Sequence, residues 1–218
     1  MTTAQPAGAA RYLPDDRSVE SLRAAAENCH GCPLFSDATQ TVFGNGTAGA
    51  PIMLVGEQPG DQEDRAGKPF VGPAGRLLAR ALEDAGIDPM LTYQTNAVKH
   101  FKFTRKGGSR RIHQKPGRTE VVACRPWLLA EIEAVRPQVI VLLGATAAQS
   151  LLGAAFRVSA QRGEALRLPA EVLGERLSPE PVVVATVHPS AVLRDRSDRH
   201  DEAYKSFVED LRSARPGR

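Results

Sequence analysis

Pro51-Ile52-Met53-Leu54-Val55-Gly56-Glu57-Gln58-Pro59-Gly60-Asp61 is the stretch that decides how this chain is organised. Residues 51–55 form a continuous apolar run that stops at Gly56. A run this short, apolar at every position, reads as a strand buried on both faces, the pattern of a parallel sheet. A loop rich in glycine, proline and acid follows over 57–73. Residues 74–85 then place Leu77, Leu78, Ala81 and Leu82 on one helical face.

Outward from this unit the same alternation repeats. Strands are expected over 91–98, 139–143 (closed by Gly144) and 182–187. Helices are expected over 120–135, with Trp127 and Leu128 inward, and over 145–152 and 201–213. Upstream, 18–28 reads as a helix, with Val19, Leu22, Ala25 and Ala26 at helical spacing and Ser18 as N-cap. Residues 157–180 read as irregular, and 1–16, rich in Ala, Pro and Gly, as a mobile tail. The expected fold class is α/β: a three-layer α/β/α sandwich around a four-stranded parallel sheet, one domain over 17–214. Ligands of such sheets bind beyond the carboxyl ends of the strands. That rule gathers three loops on one rim: 56–73, 96–118 and 188–190.

The bulk numbers fit this reading. The chain has 218 residues, 42% hydrophobic and 24% charged, enough for one substantial core. Net charge is only +3, so affinity for a polyanion must come from local clustering. No apolar run is long enough to span a bilayer, and residues 1–14 lack the pattern of a signal peptide, so the cytoplasm is the expected location.

Charge is clustered in one place. Between Lys99 and Arg118 lie Lys99, Lys102, Arg105, Lys106, Arg110, Arg111, Lys115 and Arg118, with no Asp or Glu among them. Gly107 and Gly108 forbid a long helix through the middle, and His113 sits among the arginines. Such a loop can grip a polyanion and deliver a nucleophile or base to it; the plainer reading is a solvated basic loop. The cysteines are Cys29, Cys32 and Cys124, an odd count that argues against a disulfide framework. Cys29-His30-Gly31-Cys32 ends a helix and precedes Pro33, which suits metal or cluster ligation better than a redox pair.

The rim loops carry the remaining chemistry. In Gly56-Glu57-Gln58-Pro59-Gly60-Asp61, the glycines allow close backbone approach to a ligand and the side chains supply acceptors. It has neither a dinucleotide fingerprint nor a P-loop, and a plain βα turn is the alternative. His188-Pro189-Ser190 follows the last strand, where a histidine can donate to a substrate carbonyl or simply cap a helix. Asn96 offers a donor and an acceptor suited to a base edge. Phe70 stacks on a base or belongs to the core.

Together these motifs resemble the uracil-DNA glycosylase superfamily, nearest its iron–sulfur family four branch. The matching segments are G-E-Q-P-G (56–60), K-P-F-V-G-P-A-G-R-L-L (68–78), T-N-A-V-K-H (95–100), E-V-V-A-C-R-P-W-L (120–128) and V-H-P-S (187–190), in order over about residues 18–213. Two departures resemble the UdgX class instead. His100 stands where the family usually has a cysteine, followed by a segment lengthened by R-R-I-H-Q, and Gln58 replaces a small residue. Members of that class bind uracil-DNA and become covalently joined to it through the loop histidine.

The resemblance implies a [4Fe-4S] cluster on Cys29, Cys32, Cys124 and His100; a Cys₃His zinc site fits the spacing too. It implies uracil-containing DNA, single- or double-stranded, as partner, no membrane, and a monomer. The uracil is flipped out of the stack. Gly56 and Gly60 admit it, Phe70 stacks on it, Asn96 reads its edge and Glu63 helps exclude a thymine methyl. His188, beside Ser190, stabilises charge on the uracil oxygen. Glu57 or Asp61 stabilises the sugar cation and Gln58 positions water or substrate. His113 attacks C1′, with Arg111 orienting the loop. The expected outcome is uracil excision with a stable covalent protein–DNA adduct. The alternatives are a multiple-turnover iron–sulfur glycosylase and a non-catalytic uracil-DNA binder.

Overall fold

Apolar residues on both faces of a strand need cover on both sides, and the chain supplies it. The computed structural model describes residues 8–106, 108, 110–173 and 179–215. Its helices are α1 (Val19–Ala26), α2 (Asp61–Ala66), α3 (Pro73–Asp84), α4 (Arg118–Val135), α5 (Ala145–Leu152), α6 (Val158–Gln161), α7 (Ala170–Leu173), α8 (Pro189–Arg194) and α9 (His200–Arg212). Its strands are β1 (Ile52–Gly56), β2 (Thr92–Asn96), β3 (Phe103–Lys106), β4 (Arg110–His113), β5 (Val139–Leu143), β6 (Ala165–Leu166) and β7 (Val182–Thr186).

The central sheet runs β2-β1-β5-β7-β6. Its first four strands are mutually parallel, as expected, and β6 adds a two-residue antiparallel edge inside the region read as irregular. Side chains alternate across the sheet. Met53, Val55, Ile140 and Leu142 pack with Leu128 and Ile132 of α4 and Leu151 of α5. Ile52, Leu54, Val141 and Leu143 pack with Leu77 and Leu82 of α3 and Phe207 and Leu211 of α9. This is the expected α/β/α sandwich.

Two expectations are corrected. The basic stretch, read as a loop, is a separate antiparallel hairpin, β3 with β4, in which Phe103 faces His113. Gly108, at φ 93°, sits in its turn, while Gly107 lies outside the described residues. Within the stretch read as tail, Ala9–Tyr12 form a 3-10 turn, and Ala9 is buried in the same cluster as Cys29, Cys32 and Cys124. Residues 1–7 of that tail lie outside the described residues. Among the described residues no helix is long and apolar enough to cross a membrane.

Candidate active site

The register of β1 with β2 places Gly56 directly beside Asn96 at the carboxyl edge of the sheet. A Cβ at Gly56 would lie 2.3 Å from Asn96 Oδ1 and 2.8 Å from Phe70 Cζ, so only glycine leaves room for both. Phe70 is held there by unusual backbone. Its φ is 56°, a left-handed value that is strained for a bulky residue. Its carbonyl oxygen lies 1.7 Å from where a Cβ of Gly75 would be, so α3 can only start this close because residue 75 is glycine. The outcome is an aromatic ring and an amide side by side over a bare backbone, at the strand ends where ligands of such sheets bind.

His188 caps α8. Its Nδ1 accepts from the Ser190 N–H at 3.2 Å and lies 2.7 Å from the Ser190 hydroxyl. A nitrogen that accepts from a backbone N–H carries no proton, so the neutral ring has its hydrogen on Nε2. Burial pushes the pKa down to about 4, helped by His113 and Arg194, so the ring stays neutral near pH 7. Its Nε2–H is thereby a donor without charge.

The hairpin meets the sheet rim at His113. Gln58 is buried, accepts from the Lys102 N–H at 3.1 Å, and donates to the Gln114 carbonyl at 2.8 Å. These bonds fix its amide so that Nε2 faces His113 Nε2 at 2.9 Å. Glu57 Oε1 stands 3.6 Å from the same imidazole nitrogen, and the other Glu57 oxygen accepts from the Thr146 hydroxyl. Burial draws the His113 pKa below the ordinary imidazole value against the opposing pull of Glu57. Glu57, Gln58 and His113, expected to act together, are together.

Arg111 and the acids of α2 have a structural task. The guanidinium binds Asp61 at 2.5 Å and Asp64 at 2.6 Å, and lies 5.3 and 5.0 Å from the Phe101 and Phe103 rings. It thus fastens the hairpin to α2, an orienting role. Asp61 also binds Arg65 at 3.0 Å, and these cations hold its carboxyl below the usual range despite some burial. Glu63 accepts from the N–H of Gly60 at 3.1 Å and of Gly72 at 2.9 Å, clipping the two glycine turns together.

The polyanion grip is smaller than the sequence implied. Lys99 is wholly buried and binds Glu131 at 2.5 Å, so it reaches no phosphate. Lys102 pairs with Glu120 at 2.8 Å. Arg105, Lys106, Arg110, Lys115 and Arg118 remain exposed around the hairpin.

On the far side of α4, Cys29, Cys32 and Cys124 are buried in one apolar cluster beneath Trp127. The Trp127 Nε1–H donates to Cys29 Sγ and the Lys99 N–H to Cys124 Sγ, each at 3.2 Å. Burial pushes the Cys124 thiol up to about 12 and the Cys32 thiol upward, and each feels the charge of Cys29. Three buried sulfurs thus lie in one cluster, with N–H donors aimed at two of them. Among the described residues no three His, Cys, Asp or Glu side chains converge as ligands of one ion. His100 is buried, its Nε2 is 2.9 Å from the Thr41 hydroxyl, and burial lowers its pKa to about 4. His30 is exposed and stacks on Phe35 at 4.2 Å.

Residues 43–212 match the family described as the Uracil DNA glycosylase superfamily. The chain belongs to this superfamily. Within it, the chain is 36% identical over 198 residues to a protein of Thermotoga maritima named type-4 uracil-DNA glycosylase, covering 90% of this chain and 93% of the relative. Proteins of the same name from Pyrobaculum aerophilum (35% identical; 81% of this chain, 85% of the relative) and Archaeoglobus fulgidus (36%; 81% and 83%) are similar to it as well. These names favour the turnover alternative over covalent capture, and none of them bears on the UdgX class.

Three partners of the site residues escaped the sequence reading and a fourth, Lys99, was misplaced by it. Asp64 anchors Arg111, Thr146 binds Glu57, and Glu131 collects bonds from Tyr93, Thr95, Gly44 and Lys99. Lys99 was noticed only as a surface cation, yet its ammonium holds the Asn96 carbonyl at 2.7 Å.

Proposed function

We propose that this protein excises uracil from DNA by cleaving the N-glycosidic bond, and that it turns over many times. The observation that carries the reading is the cleft of Gly56, Phe70 and Asn96, with the neutral His188 on the same rim. Phe70 offers a stacking face. The Asn96 amide pairs with the N3–H donor and O4 acceptor of uracil, and cytosine presents the reverse pattern. As the bond breaks, the electron pair moves into the pyrimidine, and the Nε2–H of His188 stabilises the uracil oxygen. The Glu57 carboxylate faces the sugar cation, and water adds to C1′. The exposed cations Arg105, Lys106, Arg110, Lys115 and Arg118 hold phosphates. Cys29, Cys32 and Cys124, with His100 as fourth ligand, would hold a [4Fe-4S] cluster, which would tie the N-terminal segment to α4.

A specific geometry favours a second reading, covalent capture. His113 Nε2 faces the Gln58 amide hydrogens, so it bears a lone pair, and a depressed pKa keeps that lone pair unprotonated until the Gln58 bond gives way to C1′. The nitrogen forms a bond to C1′ as uracil leaves with the electrons of the old bond, and the ring then sheds its other proton. A positioned imidazole has an effective concentration of roughly 10⁵ M or more and outruns water.

A uracil-containing oligonucleotide in excess, followed on a denaturing gel, tests both. More abasic product than protein establishes turnover. A denaturant-stable shifted band, lost in His113→Ser while uracil release persists, establishes capture. If neither product nor band forms, the excision reading is wrong.

A further inference from the structure

Four βα loops meet at the carboxyl edge of the sheet, and the reaction above uses those after β1, β2 and β7. The β5–α5 junction, Gly144 with Ala145 and Thr146 of the first turn of α5, has no role in that scheme, yet it is built into the site. Gly144 has φ 93°, and a Cβ there would lie 3.0 Å from the Cβ of His188, so the start of α5 sits hard against the His188 loop. Thr146 is 6% exposed, and its hydroxyl donates to Glu57 Oε2. The Oε1 of that carboxylate is the oxygen 3.6 Å from His113 Nε2.

We infer that Thr146 is the positioning residue of the glycosylase reaction: its hydroxyl holds one oxygen of Glu57 so that the other faces the space between the base cleft and His113. The inference rests on the excision reading above. A glutamate on a sheet rim, with a side chain 22% exposed, has several rotamers open to it. The hydroxyl bond selects one, fixing the carboxylate before substrate arrives, and a preorganised charge is worth more than one that must swing into place. Thr146 touches neither base nor sugar in this scheme and acts only through Glu57. No bond forms or breaks at Thr146.

Thr146→Val keeps the shape and removes the donor, and Thr146→Ser keeps the donor. The readouts are single-turnover uracil release, affinity for an oligonucleotide carrying 2′-fluorodeoxyuridine, which resists cleavage, and crystal structures. Thr146→Val should slow release by about 10- to 100-fold, the range of a hydrogen bond to a charged group. Affinity should stay within about 2-fold, since base and phosphate contacts are untouched. Thr146→Ser should restore the rate. In a Glu57→Gln background Thr146→Val should add nothing, because the charge that Thr146 positions is gone. A Val variant as fast as wild type, a Ser variant as slow as Val, or an additive loss on Glu57→Gln would each overturn the inference. Should the wild type release no uracil, the excision reading fails. The positioning claim is then judged by the crystal structures alone, and an unmoved Glu57 carboxylate in Thr146→Val refutes it.

Discussion

Replacing Glu131 by glutamine should be the most destabilising single change near the site. Both partners of the Lys99–Glu131 pair are 0% exposed and 2.5 Å apart. The three N–H groups of the ammonium go to Glu131 Oε2, to Thr95 Oγ1 at 2.7 Å and to the Asn96 carbonyl at 2.7 Å, so none is spare. Glu131 in turn accepts from the Tyr93 hydroxyl at 3.0 Å, the Thr95 hydroxyl at 2.9 Å and the Gly44 N–H at 3.1 Å. Glutamine leaves the ammonium buried without a countercharge and turns one acceptor into a donor. Breaking such a pair from one side costs about 3–5 kcal/mol. At this chain length 1 kcal/mol moves the melting temperature by about 2–4 °C. Glu131→Gln should therefore melt roughly 6–20 °C below wild type by circular dichroism at matched cluster loading. The double variant Lys99→Met/Glu131→Gln removes the orphaned charge and should recover more than half of the loss. A single variant within about 2 °C of wild type, or a double variant as damaged as the sum of the singles, would refute the reasoning.

Gly56→Ala should abolish uracil release and lower the melting temperature by several degrees, because its Cβ meets Asn96 Oδ1 at 2.3 Å and Phe70 Cζ at 2.8 Å in the cleft itself; a fully active variant would disprove the cleft. Asn96→Ala should weaken binding of uracil-DNA by about 1–3 kcal/mol, the cost of leaving a polar edge unpaired, and equal action on cytosine-containing DNA would remove Asn96 from base reading. Anaerobically purified protein should carry about four irons per chain and Cys124→Ser should lose them, whereas stoichiometric zinc would replace the cluster with a Cys₃His ion. In the folded chain His188 takes up its proton only at about 4, against an ordinary 6.5. Its contribution to stability is therefore whole above pH 6.5 and drains away as the pH falls toward 4; His188→Gln should flatten that part of a stability-versus-pH curve, and an unchanged slope would count against a buried neutral ring.

The frame was readable because its elements obey strong periodicities. The run over 51–55 became Ile52–Gly56, and the helix expected over 74–85 became Pro73–Asp84. Gly56, Asn96 and His188 were found by the rule that strands deliver ligands at their carboxyl ends. The hairpin was missed because its strands carry charge where a strand usually shows an apolar face, and arginine repeats resemble loop. Partners reached only through the fold were invisible: Thr146 lies 89 positions from Glu57, Asp64 47 from Arg111 and Glu131 32 from Lys99. A threonine or glutamate has no local signature that announces a distant partner. Lys99 was misplaced for the same reason, since in sequence it is only the first of a row of cations.

The hairpin is a detachable tool. It adds no strand to the main sheet, and its fastenings include the Gln58 bonds at its base and the pairs of Arg111 with Asp61 and Asp64 of α2. Lengthening its turn costs little, since each doubling of a flexible loop adds only about 0.6 kcal/mol. Changes at the exposed tip positions Arg105, Lys106 and Arg110 therefore leave the Arg111 and His113 contacts, and with them the cleft of Gly56, Phe70 and Asn96, in place.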